Sequence, residues 1–164
     1  SVAEEQGNWE SVWDIFPDYA RCTLTGGNAD GIGYLYEGVP GGGDWNPPTA
    51  YTVRSDGSKR YFDNPWEEDL SPEWVYFGDD RHPGRVLYYA HHEDDDIPEK
   101  TRTHKFLTVF GFAREGIPGI IALKQPQHFT LGFYESDAYT LVSTAVNSAY
   151  RDLDVLAGKP QRRQ

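Results

Sequence analysis

The chain has 164 residues, and 26 acidic against 15 basic side chains give it a formal net charge of −11. This length is typical of one domain, and the negative charge opposes binding to nucleic acid or to an anionic membrane surface. The 17 glycines, 11 prolines and 15 % aromatic residues argue against a helical bundle or coiled coil and favour a β fold. No apolar run approaches the roughly 18 residues that a transmembrane helix needs, so we expect no membrane insertion.

The first part of the chain predicts a hairpin after a polar terminus. Residues 1–8 are polar, and we expect them to be flexible, because the ends of domains often are. Residues 19–25 alternate between polar and apolar side chains, which is typical of a strand with one buried face. A turn composition follows, and residues 32–37 are the expected return strand. Cys22 is the single cysteine, so it cannot form an internal disulfide, and we expect it to be a small buried side chain.

The middle of the chain contains two further hairpin signals. Residues 50–54 and 59–62 favour strands and flank Asp56-Gly57, a dipeptide that favours tight hairpin turns. Residues 74–77 and 86–90 are almost entirely apolar or aromatic and are separated by a turn that contains glycine and proline. Runs of this composition are typical of strands buried in a core. The second hairpin is therefore expected to form the centre of the core.

Two more strands and one helix complete the predicted fold. Residues 106–112 and 129–134 are short apolar runs, and the first of these strands is expected to begin near Lys105. Ser136 is the expected N-cap of an amphipathic helix, with Asp137 in its first turn. The apolar residues of this helix recur at three- and four-residue steps: Leu141, Val142, Ala145, Val146, Ala149, Tyr150 and Leu153.

The predicted fold class is all-β: an antiparallel β-sandwich or jelly-roll-like fold with one C-terminal amphipathic α-helix. We expect one domain over residues 1–164, with flexible ends at 1–8 and 159–164, as a part of a larger multidomain protein. The residues expected to be mostly buried come from the apolar runs: Trp74, Tyr76, Val86, Leu87, Phe106, Val109, Phe110, Phe129, Leu131 and Phe133.

Aromatic residues are also common where a core does not require them, in and beside segments rich in glycine and proline. Tyr34 and Tyr36 precede the glycine-rich segment, Trp45 lies within it, and Trp66 follows Asn64-Pro65. The rings of Trp and Tyr stack on the C–H faces of sugars, whose hydroxyl groups bind carboxylates. These four aromatic residues are therefore the predicted saccharide site. The alternative is that the loop tryptophans fold onto the core as lids.

The densest group of ionisable residues is the run His91, His92, Glu93, Asp94, Asp95 and Asp96, which follows the strand at 86–90. Adjacent residues of a strand point to opposite faces, so the two histidines are expected to face different sides. Three interpretations remain open: a solvated acidic loop beside a packed histidine, a Ca²⁺ site formed by the three aspartates, or a transition-metal or acid–base site formed by a histidine and a carboxylate. The residues considered for acid–base chemistry are His91, His92, Glu93, Arg102 and His104.

The preferred function is a carbohydrate-binding or carbohydrate-processing domain of an exported protein, extracellular or periplasmic, whose partner is a saccharide. The first alternative is a lyase or hydrolase that uses the His/carboxylate site, with or without Ca²⁺ or a transition metal as cofactor. The second alternative is a protein-interaction module whose exposed aromatic side chains bind a partner protein. An aromatic-lined groove favours the first function, and a pocket where His, Arg and a carboxylate converge favours the enzyme. A flat aromatic patch favours the interaction module.

Overall fold

The computed structural model describes residues 9–26, 34–38, 48–93, 97–104, 107–112 and 126–157. These residues form antiparallel β-sheets followed by one C-terminal helix, so the predicted fold class is confirmed. The elements are β1 (Trp9–Ile15), β2 (Ala20–Gly26), β3 (Tyr34–Gly38), β4 (Ala50–Arg54), β5 (Lys59–Tyr61), β6 (Glu67–Glu68), β7 (Trp74–Asp79), β8 (Val86–His91), β9 (Glu99–His104), β10 (Leu107–Phe112), β11 (Gln127–Tyr134) and α1 (Tyr139–Ala157).

The strands form two sheets that pack face to face. The larger sheet has seven strands in the order β1-β2-β11-β8-β7-β4-β5, and the smaller sheet has four in the order β3-β10-β9-β6. Phe110 of the small sheet lies 5.5 Å from the ring of Phe77 and 6.3 Å from that of Tyr89, both in the large sheet. The interdigitation of these rings, with Trp66 and Phe129 in the same cluster, gives the core of a sandwich.

The helix covers the opposite face of the large sheet. Val142 and Val146 of α1 are fully buried in a second cluster, together with Trp74, Tyr76 and Tyr88 of the sheet. Because the central strands β4, β7 and β8 are covered on both faces, every one of their residues is buried. This double burial explains the nearly continuous apolar runs at 74–77 and 86–90.

Two predicted hairpins are confirmed, and one is wrong. β4 pairs with β5 across the Asp56-Gly57 turn, where Gly57 has a φ of 84°, and β7 pairs with β8. The predicted pairing of the strand at 19–25 with that at 32–37 does not occur. β2 pairs with β1 and β11, whereas β3 pairs with β10 in the other sheet. The short turn at Pro17-Asp18 brings β1 beside β2, so β1 takes the position beside β2 that was predicted for β3.

The predicted core is correct at its centre and wrong at one end of β11. Phe133 is 62 % exposed, because the pairing of β2 with β11 ends before this residue. Leu131 is only partly buried. Phe106 and the side chain of Val109 lie outside the described residues. The predicted core residues that the structure shows as buried are Trp74, Tyr76, Val86, Leu87, Phe110 and Phe129.

The helix begins at Tyr139, later than predicted, so Asp137 precedes its first turn. Ser136 Oγ accepts the backbone N–H of Ala138 at 3.2 Å and thus supports the turn before the helix. Of the predicted apolar positions, Val142, Val146 and Ala149 are buried, whereas Leu141 is exposed. The side chains of residues 150 and 153 and the ends predicted to be flexible, 1–8 and 159–164, lie outside the described residues. No helix in the described part of the chain is both long enough and apolar enough to cross a membrane.

β9 is a strand that the sequence pattern does not predict. Its residues are largely polar, Glu-Lys-Thr-Arg-Thr-His, yet β9 pairs with β10 on one side and with β6 on the other. Glu99 and Thr101 are buried on its inner face. Because these inward positions are polar, the segment lacks the alternation of apolar residues that predicts a strand.

Candidate functional site

A groove of about 550 Å³ opens at one end of the large sheet, lined by residues 15–20 and 131–135. β2 pairs with β11 as far as Ala20 and Leu131. β11 then continues to Tyr134 beside β8, and no described strand pairs with its other side. The space between the β1–β2 turn and the end of β11 therefore remains open as the groove.

The turn that forms one wall of the groove is held by its own aromatic residues. Phe16 N–H donates to the carbonyl oxygen of Tyr19 at 2.9 Å, which closes the turn around Pro17-Asp18. The rings of Phe16 and Tyr19 stack with their centroids 4.6 Å apart. The guanidinium carbon of Arg21 lies 5.5 Å from each centroid, and its Nη2 donates to the carbonyl oxygen of Ala149 in α1 at 2.9 Å. These contacts fix the turn against the helix layer.

Gly132 allows the turn to approach β11 closely. A Cβ atom at this position would lie 2.6 Å from the ring and hydroxyl of Tyr88 and 2.7 Å from the carbonyl oxygen of Asp18. Real Cβ atoms essentially never come this close to other heavy atoms, so the absence of a side chain is required. Gly132 thus allows Tyr88 and the turn to pack against β11 at the wall of the groove.

The groove combines exposed apolar rings with carboxylates. Phe133 is 62 % exposed and Ile15 76 % exposed, whereas Tyr19 and Tyr134 are partly buried. Asp18 and Glu135 are exposed at its margins. Its volume falls within the roughly 300–1,000 Å³ of ligand pockets. The geometry suits a ligand with an apolar face and several hydrogen-bond donors.

Of the aromatic residues predicted from the sequence, Trp66 lies outside the groove. Trp66 is only 8 % exposed and packs in the sandwich core, 6.1 Å from the ring of Phe110 and 5.2 Å from the guanidinium carbon of Arg54. It is therefore a core residue, as the lid alternative expects. Trp45 and the side chains of Tyr34 and Tyr36 lie outside the described residues.

His91 forms a buried polar network at the other end of β8. Its Nδ1 donates to the carboxylate of Glu73, its Nε2 to Gln127 Oε1 at 2.6 Å, and its ring stacks on Phe129 at 4.8 Å. Burial opposes a positive charge here, but the hydrogen bond and negative charge of Glu73 outweigh it, so the pKa of His91 lies above its ordinary range. His91 and Glu73 are each 1 % exposed, so no solute reaches them in this arrangement.

His92 and Glu93 occupy different environments. His92 Nε2 lies 2.7 Å from Thr130 Oγ1, and burial, assisted by the charge of Arg21, lowers its pKa to about 3. The carboxylate of Glu93 accepts the backbone N–H of His128 at 2.6 Å and also lies 2.6 Å from the ring Nδ1 of that histidine. The side chains of this pair are 28 % and 19 % exposed, respectively. The pairing of His128 with Glu93 depends on the contact between β8 and β11.

The remaining predicted site residues lie partly outside the described residues. Asp94, Asp95 and Asp96 are among these, so the proposed Ca²⁺ site stays a prediction. Arg102 and His104 lie in β9, but their side chains are not described. Within the described ranges, no three His, Cys, Asp or Glu side chains are placed to hold a metal ion together.

Glu99 is a buried acid that no sequence pattern singles out. Its Oε2 accepts the backbone N–H of Leu70 at 2.8 Å, and its Oε1 has no hydrogen-bond partner among the described residues. Burial and the nearby charge of Glu73 raise its pKa to about 9. Glu99 is therefore a neutral carboxylic acid at pH 7.

The chain matches no protein-family model, and comparison with curated proteins and with solved structures likewise found no match.

Proposed function

We propose that this domain binds a saccharide in the groove formed by residues 15–20 and 131–135. The observation that carries the proposal is the exposed ring of Phe133 beside the carboxylates of Asp18 and Glu135 in one open cleft. An exposed aromatic ring supplies a flat apolar surface for the C–H face of a pyranose. The carboxylates supply acceptors for the hydroxyl groups that such a sugar presents at its rim.

The charge of the groove favours uncharged or amino-bearing sugars. Asp18 and Glu135 place two negative charges at its margins, and the whole chain carries −11. A uronate or sulfated sugar would be repelled by both sources of negative charge, whereas a neutral sugar would not be repelled. The ligand class is therefore a neutral or amino sugar in an oligosaccharide.

The first test is binding to a panel of neutral, amino and acidic oligosaccharides, measured by calorimetry and followed by product analysis. Phe133→Ala is expected to weaken binding of the best ligand by about ten- to thirtyfold, the usual loss when an aromatic anchor is truncated. Phe133→Tyr keeps the ring and should bind nearly as well. Leu141→Ala removes an exposed apolar side chain from the helix and is the matched control.

The result that would contradict the proposal is specific. If no member of the panel binds, or if Phe133→Ala and Leu141→Ala bind a ligand equally well, the groove is not the saccharide site. A preference for acidic over neutral sugars would contradict the charge argument alone.

A second candidate function is acid–base chemistry at the Glu93–His128 pair. A carboxylate that binds Nδ1 of a histidine fixes the orientation of the ring, as a general base requires. Unlike His91, this histidine is partly exposed. If the product analysis detects cleavage of any sugar, His128→Gln should abolish it while Phe133→Ala weakens binding. Cleavage that survives His128→Gln excludes this pair.

A further inference from the structure

Among the described strands of the large sheet, β1 is the outermost at one edge. It pairs with β2 over seven consecutive residue pairs, Trp9 to Ile15, without a bulge. Every residue from 10 to 15 is exposed. Natural edge strands are usually protected by lysine, proline, a bulge or a very short length. β1 has none of these features, and its only charges are those of Glu10 and Asp14.

The register of the hairpin shows which backbone groups of β1 face outward. Phe16 N–H donates to Tyr19 across the two-residue turn, so these residues form a hydrogen-bonded pair. Hydrogen-bonded and non-hydrogen-bonded pairs alternate along an antiparallel ladder. The N–H and C=O groups of Ile15, Trp13 and Ser11 therefore point away from β2, towards the position of a further strand.

The side chains of β1 differ between its two faces. Ser11, Trp13 and Ile15 lie on one face, and the Trp13 side chain is 44 % exposed. Glu10, Val12 and Asp14 lie on the other face, with the two carboxylates four residues apart. An added strand would thus meet an apolar, aromatic face on one side and two acidic groups on the other.

We propose that β1 binds an extended, basic peptide segment of a partner protein by strand addition. The segment would pair with the outward backbone groups of Ser11, Trp13 and Ile15. Its cationic side chains would lie opposite Glu10 and Asp14, and its apolar side chains opposite Trp13 and Ile15. The charge of −11 on the whole chain attracts such a segment.

Two registers of a second copy at the same edge bring like charges together. Antiparallel pairing of two β1 strands about Val12 would place Glu10 of each copy opposite Asp14 of the other. Parallel pairing in register would place each acid beside its own counterpart. Like charges directly opposite each other destabilise a strand pair.

Among the sheet edges whose side chains are described, β1 is the best suited to a basic partner. β5 has three residues, two of which are Lys59 and Arg60. β6 has two residues, and Glu67 is already paired with Lys100. Neither edge offers a long acidic and apolar strand.

The probe is a fluorescent seven-residue peptide with lysine at its second and sixth positions, valine at the fourth and leucine elsewhere. Binding is measured by fluorescence anisotropy to the intact chain. Ser11→Pro removes one outward N–H and leaves the ladder to β2 intact, so it is expected to weaken binding by about tenfold or more. Ser11→Ala keeps the N–H and should bind like the wild type. Asp14→Lys should weaken binding, whereas Asp63→Lys, a charge reversal elsewhere on the surface, should have little effect.

Hydrogen exchange provides a readout that does not depend on a variant. The bound peptide should slow exchange of the amides of Ser11, Trp13 and Ile15 in the wild-type protein. The proposal is overturned if the peptide does not bind at about 1 mM, or if those amides exchange at the same rate with and without it. It is equally overturned if Ser11→Pro binds as tightly as Ser11→Ala while remaining folded, or if Asp63→Lys weakens binding as much as Asp14→Lys does.

Discussion

The buried carboxyl group of Glu99 makes the stability of this protein depend on pH. Burial and the charge of Glu73 raise its pKa from an ordinary value of 4.5 to about 9, so the folded protein holds a proton that the unfolded chain releases above pH 4.5. The folded state therefore binds more protons between these two values. By linkage, the free energy of unfolding falls as pH rises through this window and becomes level above it.

The size of this effect follows from the two pKa values. Each pH unit within the window lowers the free energy of unfolding by about 1.4 kcal/mol. The loss is about 3 kcal/mol between pH 4.5 and pH 7 and about 6 kcal/mol by pH 9. Glu99→Gln has the shape of the neutral acid, keeps an oxygen that can accept the N–H of Leu70, and takes up no proton. It is therefore expected to stabilise the protein by these amounts at pH 7 and pH 9, and by little at pH 4.5.

Urea unfolding at these three pH values, compared between wild type and Glu99→Gln, tests the expectation. His91 adds a dependence of the same sign: its pKa is raised on folding, so its contribution is present below about pH 6.5 and is lost as pH rises through the folded pKa. The difference between the two proteins isolates Glu99. Asp63→Asn, at an exposed position, is the control and should keep the wild-type slope. A Glu99→Gln protein that has the wild-type slope, or is less stable at pH 9, would refute the reasoning.

Three further predictions concern packing and charge. Leu87→Ala opens a cavity between the sheets and should cost about 2–5 kcal/mol in urea unfolding; a loss below 1 kcal/mol would contradict its place in the core. Gly132→Ala should lower the free energy of unfolding by about 1–3 kcal/mol, because its Cβ would meet Tyr88 and Asp18, and it should also weaken saccharide binding. Wild-type stability and wild-type affinity in this variant would contradict the close packing at the groove wall. Burial opposes the charge of Asp79, but hydrogen bonds from Arg81 outweigh it and lower its pKa to about 2. The stabilisation is present above pH 3.8 and is lost as pH falls through about 2. Asp79→Asn should therefore lower the free energy of unfolding by about 1–2 kcal/mol at pH 7 and by almost nothing at pH 2. This value is reduced for solvent screening, because Arg81 is partly exposed. Equal losses at both pH values would mean that charge is not the cause.

The fold class could be predicted because its signals are local. The runs at 74–77 and 86–90 are apolar throughout, since both faces of their strands are covered, and Asp56-Gly57 favours a tight turn in any context. The helix was visible for the same reason: Val142, Val146 and Ala149 recur at helical steps. Its start was placed too early, because Ser136 supports a turn before the helix rather than the helix itself.

The rest depends on contacts between segments that are distant in sequence. Pairing of β2 with β1 rather than β3 is a choice between neighbours that no local pattern decides. Glu99 is buried only because β9 lies between β10 and β6, and Glu73 meets His91 only because β7 and β8 are adjacent. The two walls of the groove come from residues 15–20 and 131–135, which most of the chain separates. For this reason Phe133, an aromatic residue that the groove exposes, is placed in the core by the sequence pattern.

The measurement that tests the saccharide site most directly is an NMR titration with the oligosaccharide that binds best in the panel. Backbone amide shifts report the position of a ligand without any substitution. The largest shifts are expected at residues 15–20 and 131–135, with little change near His91 or in α1. Saturable binding whose shifts lie elsewhere and leave the amides of Phe133 and Tyr134 unchanged would contradict it.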